Sequence, residues 1–272
     1  ACSHWLIATI GRLKSTNPLC GKDRIHPSTD GHLVMAYLFL KAQGLAGKPV
    51  ADIRIDGAGK KVTRSDNCRV SDLSVSSDNL TFTYEAKSLP YPIDTSYYDN
   101  EKHTQADALS VIPFMDEMNY EGLSVSGLSD GYYGLTIGGE FIGRFTAREL
   151  ERGINMALLQ NTPQYKQAMK IRQMNEERWL KERKMREFYW VEYNLMRKTG
   201  MLWACNEAAV DTLRKYRPHD IFLQWNGALW LQYMHKGIRE DCVNEQQDLV
   251  NQIYVQNKPI PLQIEIKKFT DL

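Results

Sequence analysis

Residues 31 to 43, GHLVMAYLFLKAQ, place apolar side chains on almost every side of one helix. Leu33, Tyr37 and Leu40 recur at helical spacing with Val34 and Leu38 beside them, and Gly44 follows as a C-terminal stop. A helix this apolar cannot stand in water, so it is expected to be buried against a sheet. The next residues change period. VADIRID, KKVTRS, CRVSDLSV and NLTFTYEA, within 50 to 86, are short, partly alternating and punctuated by Gly, Asp, Asn and Ser, which predicts antiparallel strands. LPYPID at 89 to 94 is an extended, proline-punctuated loop.

A second strand group follows. EGLSVSGL, YYGLTIGG and EFIGRF are expected to form a meander, with turns at Ser129-Asp130-Gly131 and Gly138-Gly139. Thr146 and Glu149 form a T-x-x-E capping box for the helix TARELERG. Thr162-Pro163 opens a long helix expected to reach about Lys198, with Gly200 as its stop. Further helices occupy about 202 to 256, and LQIEIKKF is a candidate final strand.

Charge and cysteine usage narrow the functional classes. The 34 basic and 33 acidic residues nearly cancel, leaving a net charge of +1 and no electrostatic case for nucleic acid or an anionic membrane as partner. KIRQMNEERWLKERKMREF mixes its charges with Met and aromatic residues, so it is expected to be a solvated helix face with i,i+4 ion pairs over a buried aromatic stripe. Five scattered cysteines (Cys2, Cys20, Cys68, Cys205, Cys242) form no Cys/His cluster that suggests a zinc site, and their odd number argues against a fully paired disulfide framework. No apolar run is long enough to span a bilayer.

The chemistry concentrates in GKDRIHPSTDGH, residues 21 to 32. A serine hydrolase needs an imidazole to take the hydroxyl proton and a carboxylate to hold that imidazole in the correct tautomer. An Asp three residues ahead of a His on a tight loop can turn back to its Nδ1, leaving Nε2 for a nucleophile. The bland alternative is an Asp capping a turn and a His satisfying backbone, because short D-x-x-H matches arise by chance.

DRIHPSTDGHLVMAYLFLKAQGL resembles the last conserved block of the SGNH (GDSL-type) hydrolases, matching at Asp23, His26, Pro27, Gly31, His32 and the apolar helix to Leu45. GLSDGYYGLTIGGEFIGRFTARELERGINMALLQNTPQYKQA is similar to the C-terminal extension of a bacterial subset of that family. The resemblance covers most of residues 21 to 170. It implies an α/β fold: the C-terminal end of a flavodoxin-like α/β/α domain (1–49), a small antiparallel β-rich region (50–145) and a mostly helical C-terminal region (146–272).

It also implies ester hydrolysis through an acyl-serine, with no metal or cofactor, on acetyl or other acyl groups of carbohydrates or small molecules. His26 would be the general base, Asp23 its orienting carboxylate and His32 a structural residue at the helix start. A periplasmic or secreted location follows from the same resemblance.

One part of the family pattern is missing. Only 22 residues precede Asp23, and no G-D-S block, oxyanion glycine block or G-x-N-D block occurs among them. The chain is therefore expected to be a C-terminal fragment, inactive alone, whose serine-bearing half lies upstream. The alternative is a binding or structural module without catalysis.

A rearranged hydrolase using Ser28 or Ser129 is a third option. Gly127-Leu128-Ser129-Asp130-Gly131 fits the G-x-S-x-G nucleophile elbow, but the strand-like YYGLTIGG follows it where that elbow needs a helix. Trp225-Asn226, Trp230 and Tyr233 could form a sugar-stacking surface, although their helical spacing favours a core. Lys22 and Arg24 flank Asp23 and could steer an anionic substrate.

Overall fold

The computed structural model of the chain describes residues 25–96 and 103–269. It divides into two compact units, one made of the chain up to Ala168 together with Lys258 onward, the other Met169–Asn257. The fold is mixed α/β, with largely antiparallel sheets and a helical C-terminal region.

Among the described residues of the first unit, helix α1 (Thr29–Ala42) precedes nine strands: β1 (Ala51–Asp56), β2 (Lys61–Asp66), β3 (Cys68–Val75), β4 (Asn79–Ala86), β5 (Glu121–Ser126), β6 (Tyr132–Ile137), β7 (Glu140–Thr146), β8 (Ile154–Asn155) and β9 (Leu262–Lys268). A 3₁₀ helix (Gln105–Ser110) and the short helices α2 (Phe114–Glu117) and α3 (Ala147–Arg152) lie between them. Two sheets result, ordered β2-β1-β5-β8 and β3-β4-β9-β6-β7. Their inner faces share one core, in which Ile53, Ile55 and Leu123 of the first sheet join Leu80, Phe82, Leu135 and Ile264 of the second.

Local signals are kept where neighbours in sequence also pair in space. Gly138 and Gly139, at φ 60° and 83°, make the β6–β7 turn. At the α3 start, the Thr146 backbone N–H donates to Glu149 Oε2 (2.7 Å), and the Glu149 N–H donates back to Thr146 Oγ1 (3.1 Å). LQIEIKKF forms β9, which sits centrally between β4 and β6.

The expected meander fails at its first link. β5 does not pair with β6; it runs parallel to β1, with Ile53 opposite Leu123 and Ile55 opposite Val125. Both strands are buried over nearly their whole length, as a parallel pair requires, and this continuous burial hides the partner choice from periodicity.

The α1 helix buries Leu33, Val34 and Tyr37, against Ile93, Ala108, Ile112 and Phe114. Its cover is thus the 3₁₀ and α2 segment, not a sheet, and Tyr37 Oη donates to Glu117 Oε2 at 2.8 Å. The opposite face stays open, with Met35 45% and Phe39 64% exposed. Among the described residues no five-stranded parallel sheet surrounds it.

Glu121, at the start of β5, is fully buried. Tyr84 Oη donates to its Oε1 at 2.8 Å and Gln164 Nε2 at 3.3 Å, while its Oε2 has no hydrogen-bond partner. Burial pushes its carboxyl up to about 7, overcoming the opposite pull of those two donors. Because the folded value lies above the unfolded one, the stability this group contributes is complete below about pH 4.5 and is lost as the pH rises through about 7. That loss amounts to about 3 kcal/mol. Glu121→Gln keeps the acceptor for Tyr84 and removes the ionisation. Urea unfolding at pH 8 is expected to show the variant more stable than the parent by about 2–3 kcal/mol, the difference closing near pH 4. An equal difference at both pH values would rule this account out.

The second unit is helical. α4 (Pro163–Val191) lies mostly within it and continues into a π turn, Glu192–Met196, closed by the Arg197 N–H donating to the Glu192 carbonyl at 2.8 Å. Gly200 follows at φ 74°, ending the helix where the sequence placed its stop. α5 (Glu207–Tyr216), a 3₁₀ turn (Arg217–His219), α6 (Ile221–Tyr233) and α7 (Lys236–Gln256) complete it. Asn206 and Asp220 cap α5 and α6, each accepting a backbone N–H at 3.0 Å or less. The core gathers Phe188, Val191 and Met196 from the long helix and its π turn with Leu213, Leu223, Trp230 and Cys242.

Candidate functional site

Asp23, with Lys22 and Arg24, lies outside the described residues, which begin at Ile25. His26 is described. It sits at a bend and is exposed, just ahead of Pro27, which makes a single-residue bridge before α1 begins. The residues that follow anchor this loop. Ser28 and Asp30 are both buried, each at 1% exposure. The Ser28 hydroxyl donates to Asp30 Oδ1, which also accepts the Gly31 N–H at 2.8 Å. His103 Nδ1 stands 3.6 Å from Asp30 Oδ2. One buried carboxyl in the first turn of α1, where the helix dipole favours it, therefore ties the loop to the helix start, with His103 beside it.

This arrangement disposes of Ser28 as a nucleophile. A serine that attacks an acyl carbon must present its oxygen to substrate, and this oxygen is buried with its proton directed at Asp30. His32 is exposed, and its backbone N–H donates to the Ser28 carbonyl at 2.9 Å in the first turn of α1. Asp30 and His103 were missed by sequence reasoning. Asp30 carried a faint signal, a Ser-x-Asp-Gly run at a helix start. His103 carried none, because it is brought to Asp30 by the fold from more than seventy positions away.

Ser129 is a strand-to-strand turn residue. It lies between β5 and β6, with Gly127 at φ 73° and Gly131 at φ 141°, and no helix follows. Its Oγ accepts from Lys268 Nζ at 2.7 Å and lies 3.1 Å from Tyr133 Oη. The turn passes the chain from one sheet to the other, so it is not a hairpin either. Nothing of a nucleophile elbow is present there.

The aromatic residues of the helical unit separate cleanly. Trp230 is fully buried and Tyr233 nearly so, whereas Trp225 is 66% exposed. The expected i,i+4 pairs form on α4, including Arg183–Glu187 at 2.7 Å and Arg186–Glu182 at 2.9 Å. The expected buried stripe holds at Phe188 but not at Trp179, which is 46% exposed on the charged face. Trp179, Arg183, Arg186, Trp190, Asn194 and Asn226 line a shallow, open depression on this unit. Among the described residues no cluster of three His, Cys, Asp or Glu side chains is arranged to hold a metal ion, and no helix is long and apolar enough to cross a membrane.

Residues 169–258 match a family model described as the diltiazem deacetylase C-terminal helical domain, a stretch that coincides with the second compact unit. A solved structure, of BT4096, a gut microbial diltiazem-metabolizing enzyme, is similar with a TM-score of 0.91 at 38% sequence identity. The similarity covers 98% of this chain and 61% of that one, so the chain spans about three fifths of that enzyme's length. No curated protein matches.

Proposed function

We propose that this chain is the C-terminal part of an ester hydrolase of the SGNH type that removes acetyl or similar acyl groups from a carbohydrate or other small alcohol. The observation that carries the reading is His26, exposed on a loop pinned at its far end by Ser28, Asp30 and Gly31, within the Asp-x-x-His-Pro block. The similarity to a protein described as a diltiazem-metabolizing enzyme, and to a domain named for a diltiazem deacetylase, supports acyl-ester chemistry.

In this mechanism His26 Nε2 takes the proton of a serine hydroxyl as the serine oxygen bonds to the acyl carbon. The carbonyl electron pair moves to oxygen, forming a tetrahedral intermediate. Its collapse expels the alcohol, which receives the proton from the His26 imidazolium. Water then repeats the sequence on the acyl-serine and releases the carboxylic acid. Asp23 accepts the Nδ1–H of His26, holding the tautomer that leaves Nε2 basic toward the serine. The serine and the oxyanion donors come from polypeptide upstream of Ala1, and neither metal nor cofactor takes part.

The test is hydrolysis of p-nitrophenyl acetate and of acetylated xylo-oligosaccharides by two proteins, this chain alone and the chain extended upstream to the length of the solved relative. Turnover is expected from the extended protein only, with a fluorophosphonate probe labelling one upstream serine. No acetate release by the extended protein, or a labelled serine within residues 25–269, would overturn the reading.

A further inference from the structure

We propose that a single proton latches the start of α4 to β5: Glu121 is held as a neutral acid whose Oε2–H donates to Gln164 Oε1, and its ionisation loosens the first turn of α4. The group is assembled from three elements of the first unit, with Glu121 at the head of β5, Tyr84 in β4 and Gln164 in the first turn of α4. All three residues are buried, Glu121 completely. Two of their polar atoms, Glu121 Oε2 and Gln164 Oε1, are buried without a partner among the described residues. Both are acceptor oxygens, and leaving acceptors out of water unpaired is costly.

The contacts locate the missing donor. Tyr84 Oη donates to Glu121 Oε1 at 2.8 Å, and Gln164 Nε2 donates to the same oxygen at 3.3 Å. An oxygen that accepts two donors is the carbonyl oxygen of an acid, so the acid proton belongs on Oε2. Gln164 Oε1 shares its carbon with the nitrogen already at the carboxyl, so amide and acid meet edge to edge. A proton on Oε2 gives both stranded oxygens a partner at once. An ionised carboxylate gives neither one, and turns a further lone pair toward the amide oxygen.

No neighbour holds the charge in compensation. Burial pushes the Tyr84 phenol of β4 well above its usual range, and burial pushes the Cys68 thiol of β3 up to about 11. The residue opposite Glu121 on β1 is Ala51, and from β8 Asn155 Oδ1 accepts the Glu121 backbone N–H at 3.0 Å. No charged side chain acts on the carboxyl, which burial pushes up to about 7.

The backbone of Glu121 is therefore fixed, and ionisation is answered from the α4 side. There the Tyr165 N–H donates to Thr162 Oγ1 at 3.3 Å and the Lys166 N–H to the Thr162 carbonyl at 3.0 Å. Opening of this turn carries Gln164 away and lets water reach the carboxyl, which returns to its ordinary value of 4.5. The closed value lies above the open one. The latch is thus fully shut below about pH 4.5 and weakens by about tenfold per pH unit up to about 7, above which both states are ionised and the change stops.

The experiment is amide hydrogen exchange of the 272-residue chain from pH 5 to 8, with intrinsic rates divided out, alongside the carbon-13 resonance of the Glu121 carboxyl. Opening at Tyr165 and Lys166 is expected to rise by about 50-fold over that range and to level off above pH 7, with Glu121 still mostly protonated at pH 6. Glu121→Gln puts a permanent N–H where the acid has its O–H, so opening should stay flat with pH and no greater than the parent's at pH 5. Gln164→Leu should already open about tenfold more than the parent at pH 5. A Glu121 carboxyl ionised at pH 6 would put a water, not the proton, between the two oxygens and overturn the proposal. So would opening that ignores pH, or that keeps the parental pH dependence in Glu121→Gln. An equal rise along the whole β4–β9 ladder would show the domain loosening as one body, with no latch at α4. No substrate enters the measurement, so its outcome is independent of the esterase reading.

Discussion

His26→Ala in the upstream-extended enzyme is expected to lower kcat/KM for p-nitrophenyl acetate by about three orders of magnitude. The size follows from the role: general base catalysis at a positioned imidazole contributes about 10²–10⁴-fold, and losing one member of an acting triad removes most of the shared effect. In the 272-residue chain His26 is exposed at a bend, ahead of the buried Ser28 and Asp30 that hold the loop. Asp23→Asn should cut the rate by a similar or somewhat smaller factor, because the tautomer is lost while the ring remains. Steady-state kinetics alongside thermal unfolding read both effects. A His26→Ala enzyme keeping more than about a tenth of parental activity would show that another base does the work.

Trp230→Phe is expected to destabilise the helical unit by about 3 kcal/mol, a large share of the stability of an ordinary domain. Trp230 is fully buried and its Nε1 donates to Glu192 Oε1 at 2.8 Å, while the Trp203 N–H occupies the other carboxyl oxygen. Phenylalanine keeps part of the packing but supplies no donor. Two costs then add: a small cavity from the missing ring, and a buried acceptor without its partner, at about 1–3 kcal/mol. The two are separable. If the hydrogen bond matters, Glu192→Leu combined with Trp230→Phe should cost clearly less than the sum of the single changes, by about 1 kcal/mol or more in a urea-unfolding cycle. Additive costs would mean that Glu192 and Trp230 only fill space, and the π turn would need another explanation.

These two predictions rest on different kinds of knowledge. Asp23 and His26 could be picked out as a pair because their roles depend on a three-residue spacing that the chain displays directly. Asp30 stands four residues further on, yet its part in holding the loop became visible only when Ser28 and His103 were placed around it. The same division runs through the aromatic residues. Trp225 and Trp230 differ by five positions on one helix, and nothing in their composition says that the first faces solvent and the second meets Glu192.

What the sequence by itself determined is whatever near neighbours decide. The Thr146–Glu149 capping box, the Gly138-Gly139 turn, the Gly44 and Gly200 helix stops and the β9 strand are set by backbone conformation and hydrogen bonding within a few residues. The tertiary structure alone decided the partners. It set β5 parallel to β1 rather than beside β6, placed the 3₁₀ and α2 segment over α1, buried Glu121 between Tyr84 and Gln164, and turned Trp179 outward. The physical reason is that a period shows which face of an element is apolar, whereas many distant apolar surfaces could cover it equally well. The choice among them is made by packing, burial and hydrogen bonding summed over the whole fold.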